Sequence, residues 1–278
     1  MNPAAPGLLD ELAGSRWAPA WFRRRALGWL GYRVLHEGPL ADGRLRVLER
    51  GSVRRLRFGD AWEDQSAFDL ADPLRLLLPY TRLATVGLAL PSQLDTVLHI
   101  GLGGATLPRV VDVVAPRTTQ HAVEPYAEVV DVARRYFALP ERVAVTVAPA
   151  DAALPALDRA YDLVFLDAFS PAGAPMSQSA EAFARLRRLL RADGWLVVNA
   201  TDDVRGTILA LNRAFASVAW LRIPDADQYV VAASDAGSLV GVRARAAALS
   251  ARLGFDVEDL VDALEWSDGS ILATPPLG

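Results

Sequence analysis

The chain has 278 residues, 52% of them hydrophobic and 22% charged, with a formal net charge of −4. That composition describes a globular chain able to bury a sizeable core as one large domain or two smaller ones, and it argues against bulk nucleic-acid binding. There is no Cys, and all 29 basic residues are Arg, so thiolate nucleophiles, iron–sulfur clusters, Schiff-base lysines and lysine-dependent NTP hydrolysis are excluded.

The three histidines, His36, His99 and His121, form no HExxH motif, and no GxSxG elbow occurs. His99 and His121 sit inside apolar strand-like runs and read as core residues. No metal site is expected. The sequence also lacks an apolar run long enough for a membrane span and a basic-then-apolar leader, so a cytoplasmic protein without membrane partners is expected. Charge is uneven: residues 1–58 carry +6 and residues 59–278 carry −10. The Arg-rich stretch reads as a solvated hairpin face.

Residues 8–30 have helical spacing anchored by Trp17, Trp21, Phe22, Leu27 and Leu30. Residues 42–58 alternate as a hairpin about Arg50-Gly51-Ser52. Asp72-Pro73 predicts a helix start, with the helix running to Leu90. From residue 95 strands and helices alternate. Strands are predicted at 96–100, 118–123, 143–147, 163–166 and 195–198, with helices at 106–114, 127–137 and 180–190. Two more strands, near 217–223 and 229–233, would close the sheet edge. Helices at 239–253 and 254–268 would follow. The pattern predicts an α/β fold: a doubly wound, Rossmann-like, mostly parallel sheet behind a small N-terminal β-hairpin lobe. The expected division is 1–72, 73–235 and 236–278.

Ligands in such sheets bind at the carboxyl ends of the strands, near the switch in strand order. Gly101-Leu102-Gly103-Gly104-Ala105-Thr106 follows the first strand, a small-residue loop opening a helix. Glu124 ends the second strand, 20 residues past Gly104, where a carboxylate can take both ribose hydroxyls. Asp151 and Ala152 follow the third strand; the carboxylate can meet an adenine amino group or cap a helix. Asp167 ends the fourth strand as a candidate general base.

These stations resemble the polyamine aminopropyltransferase family, spermidine synthase and its relatives, and more broadly the class I S-adenosylmethionine-dependent methyltransferase fold. The segments that carry the resemblance are VLHIGLGGATLPRVV, HAVEPYAEVVDVARRYF, APADAALPAL, YDLVFLDAFSPAGAP and QSAFDLADPLRLLLPYTR. The resemblance implies that Gly101 and Gly103 lie under the nucleoside and its sulfonium tail, Glu124 holds the ribose, and Asp151 meets the adenine. It implies that Gln65 reaches the tail, Tyr80 stands at the active-site mouth, and Asp167 deprotonates an amine acceptor. It further implies decarboxylated S-adenosylmethionine, or S-adenosylmethionine, as co-substrate, no metal, and a homodimer. Where the family has acidic or polar groups for the cationic ends of a diamine or for the aminopropyl amine, this chain has Gly104, Ser170, Thr81 and Arg82. Ser170, Asp225 and Asp227 are the remaining candidates for binding the acceptor. A small-molecule methyltransferase and a non-catalytic nucleoside-binding relative are the alternatives.

Overall fold

The computed structural model describes residues 20–41, 43–59, 63–158, 160–168, 179–201, 203–236 and 238–267, with side chains from Arg25 onward. The first half of the helix expected over 8–30 lies outside these residues; its second half is α1 (Ala20–Trp29). The expected hairpin is the middle of a larger antiparallel sheet, β1 (Arg33–Leu40), β2 (Gly43–Arg50), β3 (Val53–Phe58) and β4 (Ser66–Asp69), paired in that order. Alternation explains its docking. Leu45, Val47, Leu56, Phe58 and Phe68 pack against Val129, Val132 and Phe137 of the main body, while Leu48 on the other face meets Ala26 and Leu27 of α1. The arginines of this lobe are matched locally: Arg33 and Arg54 with Glu49, Arg44 with Glu37, Arg55 and Arg57 with Asp64. Its positive charge is therefore largely internal pairing.

The helix expected from Pro73 starts later. Asp72 accepts the amide of Leu74 at 3.3 Å and that of Arg75 through its carbonyl at 3.0 Å, which closes a turn. Residues Leu76–Leu78 then run irregularly to α2 (Pro79–Ala84), which tightens into a 3-10 turn over Thr85–Leu88. Pro79 stands at the helix start, where its missing N–H is no loss.

The main body follows as β5 (Thr96–Ile100), α3 (Thr106–Val114), β6 (Thr119–Glu124), α4 (Ala127–Tyr136), β7 (Ala144–Val147), α5 (Ala150–Ala153), β8 (Tyr161–Leu166), α6 (Ala180–Arg187) and β9 (Leu190–Ala200). Next come α7 (Val204–Ala214), β10 (Ser217–Arg222), β11 (Tyr229–Ser234), α8 (Val242–Leu253), α9 (Glu258–Asp262) and β12 (Glu265–Trp266). Helix α7 has no counterpart in the sequence reading, although Asp203 caps it by accepting the Gly206 amide at 2.9 Å. The acidic tail expected as one helix is the short α9 followed by β12, which pairs with β10.

The strand order is β12-β10-β11-β9-β8-β5-β6-β7. Strands β7, β6, β5, β8 and β9 are parallel, and β11, β10 and β12 complete an antiparallel edge. Side chains alternate across the central strands. Leu98, Ile100, Val164, Leu166, Leu196 and Val198 face the core under α6 and α7. Val97, Leu163, Phe165, Trp195 and Val197 face the core under α3 and α8. This is the doubly wound, class I methyltransferase-type fold expected. The segment after residue 236 shares the second core through Val242, Ala246, Leu249 and Leu253. Arg245 fastens it by donating to the carbonyls of Ala89 and Leu90 at 2.7 and 3.2 Å.

Candidate active site

The chain runs outward from β5 to β6 and β7, then returns to the other side of β5 as β8. The strand order therefore switches between β5 and β8, and a crevice opens at their carboxyl ends. Gly101 and Asp167 meet there. The Asp167 amide donates to the Ile100 carbonyl at 2.9 Å. Gly101 has φ +89, and a Cβ on it would lie 2.1 Å from the Asp167 carbonyl oxygen. Glycine is required because two strand ends converge on one point.

The glycine loop uses its own amides. Gly101 donates to the Val123 carbonyl at 2.9 Å, and Leu102 to Glu124 Oε2 at 3.0 Å. The Gly103 amide also lies near the Glu124 carboxylate and favours its ionised form. Gly104 donates to Ser66 Oγ at 2.7 Å and Ala105 to the Leu102 carbonyl at 2.9 Å. The amides of Gly101, Leu102, Gly104 and Ala105 are thus committed within the protein. Glu124 also accepts the Tyr126 amide at 3.1 Å. Burial pushes this carboxyl up to about 7, against the pull of its three amide donors.

Ser66, on β4, seats the N-terminal lobe on this loop. A Cβ at Gly104 would lie 2.7 Å from Ser66 Cβ and 3.0 Å from Phe137. Arg109 of α3 closes the loop from behind. Its Nη1 donates to the carbonyls of Gly104 and Phe137, and its guanidinium lies 4.2 Å from the centre of the Phe68 ring. Burial lowers Arg109 to about 10.

Asp167 is the focus of a second network. Asn199 Nδ2 donates to Asp167 Oδ1 at 2.8 Å, and Gln228 Nε2 donates to Asn199 Oδ1 at 2.7 Å. The Tyr80 hydroxyl donates to Asp167 as well. Burial raises Asp167 above the usual carboxylate value, while these two donors pull it down. Tyr80 is held well above its ordinary value, first by burial and then by the Asp167 charge, so it remains a phenol donor. A carboxylate raised by burial beside a crevice is suited to take a proton.

A cavity of about 1540 Å³ joins the two networks. Of the residues expected from the sequence, Gln65, Tyr80, Gly101, Gly103, Glu124, Asp167 and Asp227 line it. Asp151 and Ala152 do not; the wall there is Pro149 and Ala150. Asp151 is exposed and paired with Arg185 of α6 at 3.3 Å. Asp225 is exposed, with φ +61, and is likewise absent from the lining, in contrast to Asp227 two residues on. Ser170 lies outside the described residues. Ser66, Asn199 and Gln228 line the cavity without having been singled out. Asn199 stands near the carboxyl end of β9, so the rule that located Asp167 reaches it too. Ser66 is adjacent to Gln65. No local signal marks Gln228 or the buried Arg109. Among the described residues no cluster of three or more His, Asp or Glu could hold a metal, and no helix is long and apolar enough to cross a membrane.

The family model described as S-adenosyl-L-methionine-dependent methyltransferase matches residues 116–210. A polyamine aminopropyltransferase of Chromobacterium violaceum is 36% identical over 97 residues, covering 35% of this chain and 37% of the relative. One from Neisseria meningitidis is 29% identical over 173 residues, covering 60% of this chain and 65% of the relative. The chain thus spans less than two thirds of the length of these relatives. A spermidine synthase crystallised with the transition-state analogue AdoDATO superposes with a TM-score of 0.66 at 18% identity, covering 87% of this chain and 86% of that one. In sequence the chain is similar to polyamine aminopropyltransferases, and in fold it is spermidine synthase-like.

Proposed function

We propose that this spermidine synthase-like chain is an aminopropyltransferase, moving the aminopropyl group of decarboxylated S-adenosylmethionine to an amine. The observation that carries the choice of donor is the commitment of the Gly101, Leu102, Gly104 and Ala105 amides within the protein. A full S-adenosylmethionine brings a carboxylate that needs donors near this loop, and a decarboxylated one does not. The Asp167 network supports transfer to an amine.

The nucleoside lies over Gly101 and Gly103, with the ribose hydroxyls donating to Glu124. The acceptor arrives as an ammonium, and the Asp167 carboxylate takes its proton. Tyr80 and Asn199 keep that carboxylate ionised and fixed in orientation. The freed lone pair attacks the propyl carbon bound to sulfur, in line with the carbon–sulfur bond. A carbon–nitrogen bond forms as the carbon–sulfur bond breaks. The bonding pair goes to sulfur, which leaves as neutral methylthioadenosine, and the positive charge passes to the new secondary ammonium. Asp227, Gln65 and Gln228 are the lining groups assigned to the acceptor and tail.

Calorimetric titration with methylthioadenosine and with S-adenosylhomocysteine tests the reading. Tighter binding of methylthioadenosine is expected. Tighter S-adenosylhomocysteine binding would install methyl transfer instead, the reading that the family model over residues 116–210 favours. Binding of neither would overturn the roles of Gly101, Gly103 and Glu124.

A further inference from the structure

Resting on the reading of Asp167 as the base, we infer that Gln228 is a positioning residue for it. The Gln228 amide sets which way the Asn199 amide faces, and through Asn199 it fixes the orientation and the ionisation of the Asp167 carboxylate.

The sheet builds this relay. Strands β11, β9 and β8 are consecutive in the strand order. Val230, Val197 and Phe165, one on each strand, belong to the core on the side of α3 and α8. Side chains two residues apart along a strand share a face. Gln228, Asn199 and Asp167 therefore continue that face as a row at the carboxyl end of the parallel sheet. Val230 pairs with Asn199, which makes Gln228 the diagonal neighbour of Asn199. The β10–β11 turn holds Gln228 in place: the Ile223 amide donates to its carbonyl at 2.9 Å, one step beyond the Arg222–Tyr229 pair.

The hydrogen bonds of the row have one direction. An amide nitrogen donates and an amide oxygen accepts. Gln228 Nε2 donates to Asn199 Oδ1 at 2.7 Å, so Asn199 turns its Nδ2 to Asp167 Oδ1, at 2.8 Å. Turned the other way, Asn199 would set its oxygen against a carboxylate and its nitrogen against a donor, and both bonds would be lost. Gln228 excludes that state. Its pull on Oδ1 also polarises the Asn199 amide and strengthens the bond that favours ionised Asp167. Among the described residues, the other titratable groups brought to this wall are Tyr80 from α2, His99 from β5 and Asp227 from the β10–β11 turn. Tyr80 donates to Asp167 directly. Burial holds His99 down to about 4, so it stays neutral, and Asp227 is exposed.

The test compares wild type, Gln228→Leu, Asn199→Leu and the double variant. The titration of Asp167 is followed by NMR of its carboxyl carbon in the unliganded full-length protein, assigned by its loss in Asp167→Asn. Gln228→Leu should move that titration to higher pH, in the same direction as Asn199→Leu and less far. The double variant should titrate with Asn199→Leu, because Gln228 acts through that amide. Additive shifts would overturn the inference by showing that Gln228 reaches Asp167 without Asn199. Gln228→Glu keeps the shape and, once ionised, cannot donate, so it should move the titration higher still; a titration at or below the wild-type position overturns the inference. Turnover of decarboxylated S-adenosylmethionine with 1,4-diaminobutane is then measured across pH. Gln228→Leu should lower kcat by about tenfold on the acidic side and by less as pH rises. A raised KM with kcat and the Asp167 titration unmoved would make Gln228 a wall residue only and overturn the inference. Absence of turnover in the wild type, with the titration shifts as expected, would sink the transferase reading and leave the relay standing.

Discussion

Glu124 gives the chain an unusual pH dependence that can be worked out from its surroundings. The residue is 5% exposed, and its carboxyl is raised from 4.5 to about 7 with burial as the main cause. At roughly 1.4 kcal/mol per tenfold, the ionised form is disfavoured in the folded state by about 3 kcal/mol. Below pH 4.5 the group is protonated in both folded and unfolded chains and contributes nothing. Between 4.5 and 7 the unfolded chain ionises first, so stability falls as pH rises; above 7 the full penalty applies. Glu124→Gln removes the titration but keeps the shape. Urea unfolding of both proteins at pH 5, 6.5 and 8 should show the wild type losing about 2.5 kcal/mol relative to the variant over that range. Methylthioadenosine should reverse part of this. Ribose hydroxyls that donate to the carboxylate favour its ionised form, so binding at pH 7 should release protons, read by calorimetry in two buffers of different ionisation enthalpy. Parallel pH curves for the two proteins, with no proton release, would refute the assignment of Glu124 as a buried, ligand-facing carboxylate.

Asp167→Asn should lower kcat for amine transfer by about 10²- to 10⁴-fold, while titration shows methylthioadenosine affinity nearly unchanged. Asn199→Leu removes a donor that favours the ionised Asp167, so the acidic limb of the kcat/KM profile should move to higher pH; an unmoved limb would mean Asn199 does not orient the base. Gly104→Asp should lower thermal stability and add no diamine activity, because its Cβ would sit 2.7 Å from Ser66 Cβ; Ser66→Gly in the same chain should recover part of the lost stability.

The parallel sheet was legible because each buried strand is a short apolar run closed by a residue of special chemistry: Ile100 then Gly101, Val123 then Glu124, Leu166 then Asp167. The edges were harder. Irregular backbone at Leu76–Leu78 precedes α2, and nothing in the apolar spacing separates that from a longer helix. Helix α7 is marked only by Asp203 and the periodic Val204, Ile208 and Leu211, a short signal between two strands. Among the cavity-lining residues, strand ends mark Gly101, Glu124 and Asp167 in the sequence, while residues brought in by tertiary contact carry no such mark. Ser66 reaches Gly104 across 38 positions, Asn199 reaches Asp167 across 32, and Arg109 works on carbonyls, which leave no signature in side-chain pattern. Asp151 shows the converse. Its position after β7 satisfies the spacing rule, yet a neighbouring Arg185 engages its side chain outside the cavity lining, a competition visible only once α5 and α6 are side by side.

The same distinction explains why the glycine loop carries more information in structure than in sequence. Read as letters, Gly103-Gly104 is permissive: small residues admit a phosphate, a carboxylate or a sulfonium tail with equal ease. In the fold the permissiveness is spent on the protein itself, since Glu124 and Ser66 consume the amides and Phe137 and Ser66 consume the space. A loop in that state offers a ligand neither hydrogen-bond donors nor a charged side chain, only van der Waals contact and the carboxylate of Glu124 behind it. On the opposite wall Asp167 is fixed by Asn199 at 2.8 Å and by Tyr80. The site thus places a fixed carboxylate at the atom where a proton must move, which suits a base that takes a proton from an incoming amine.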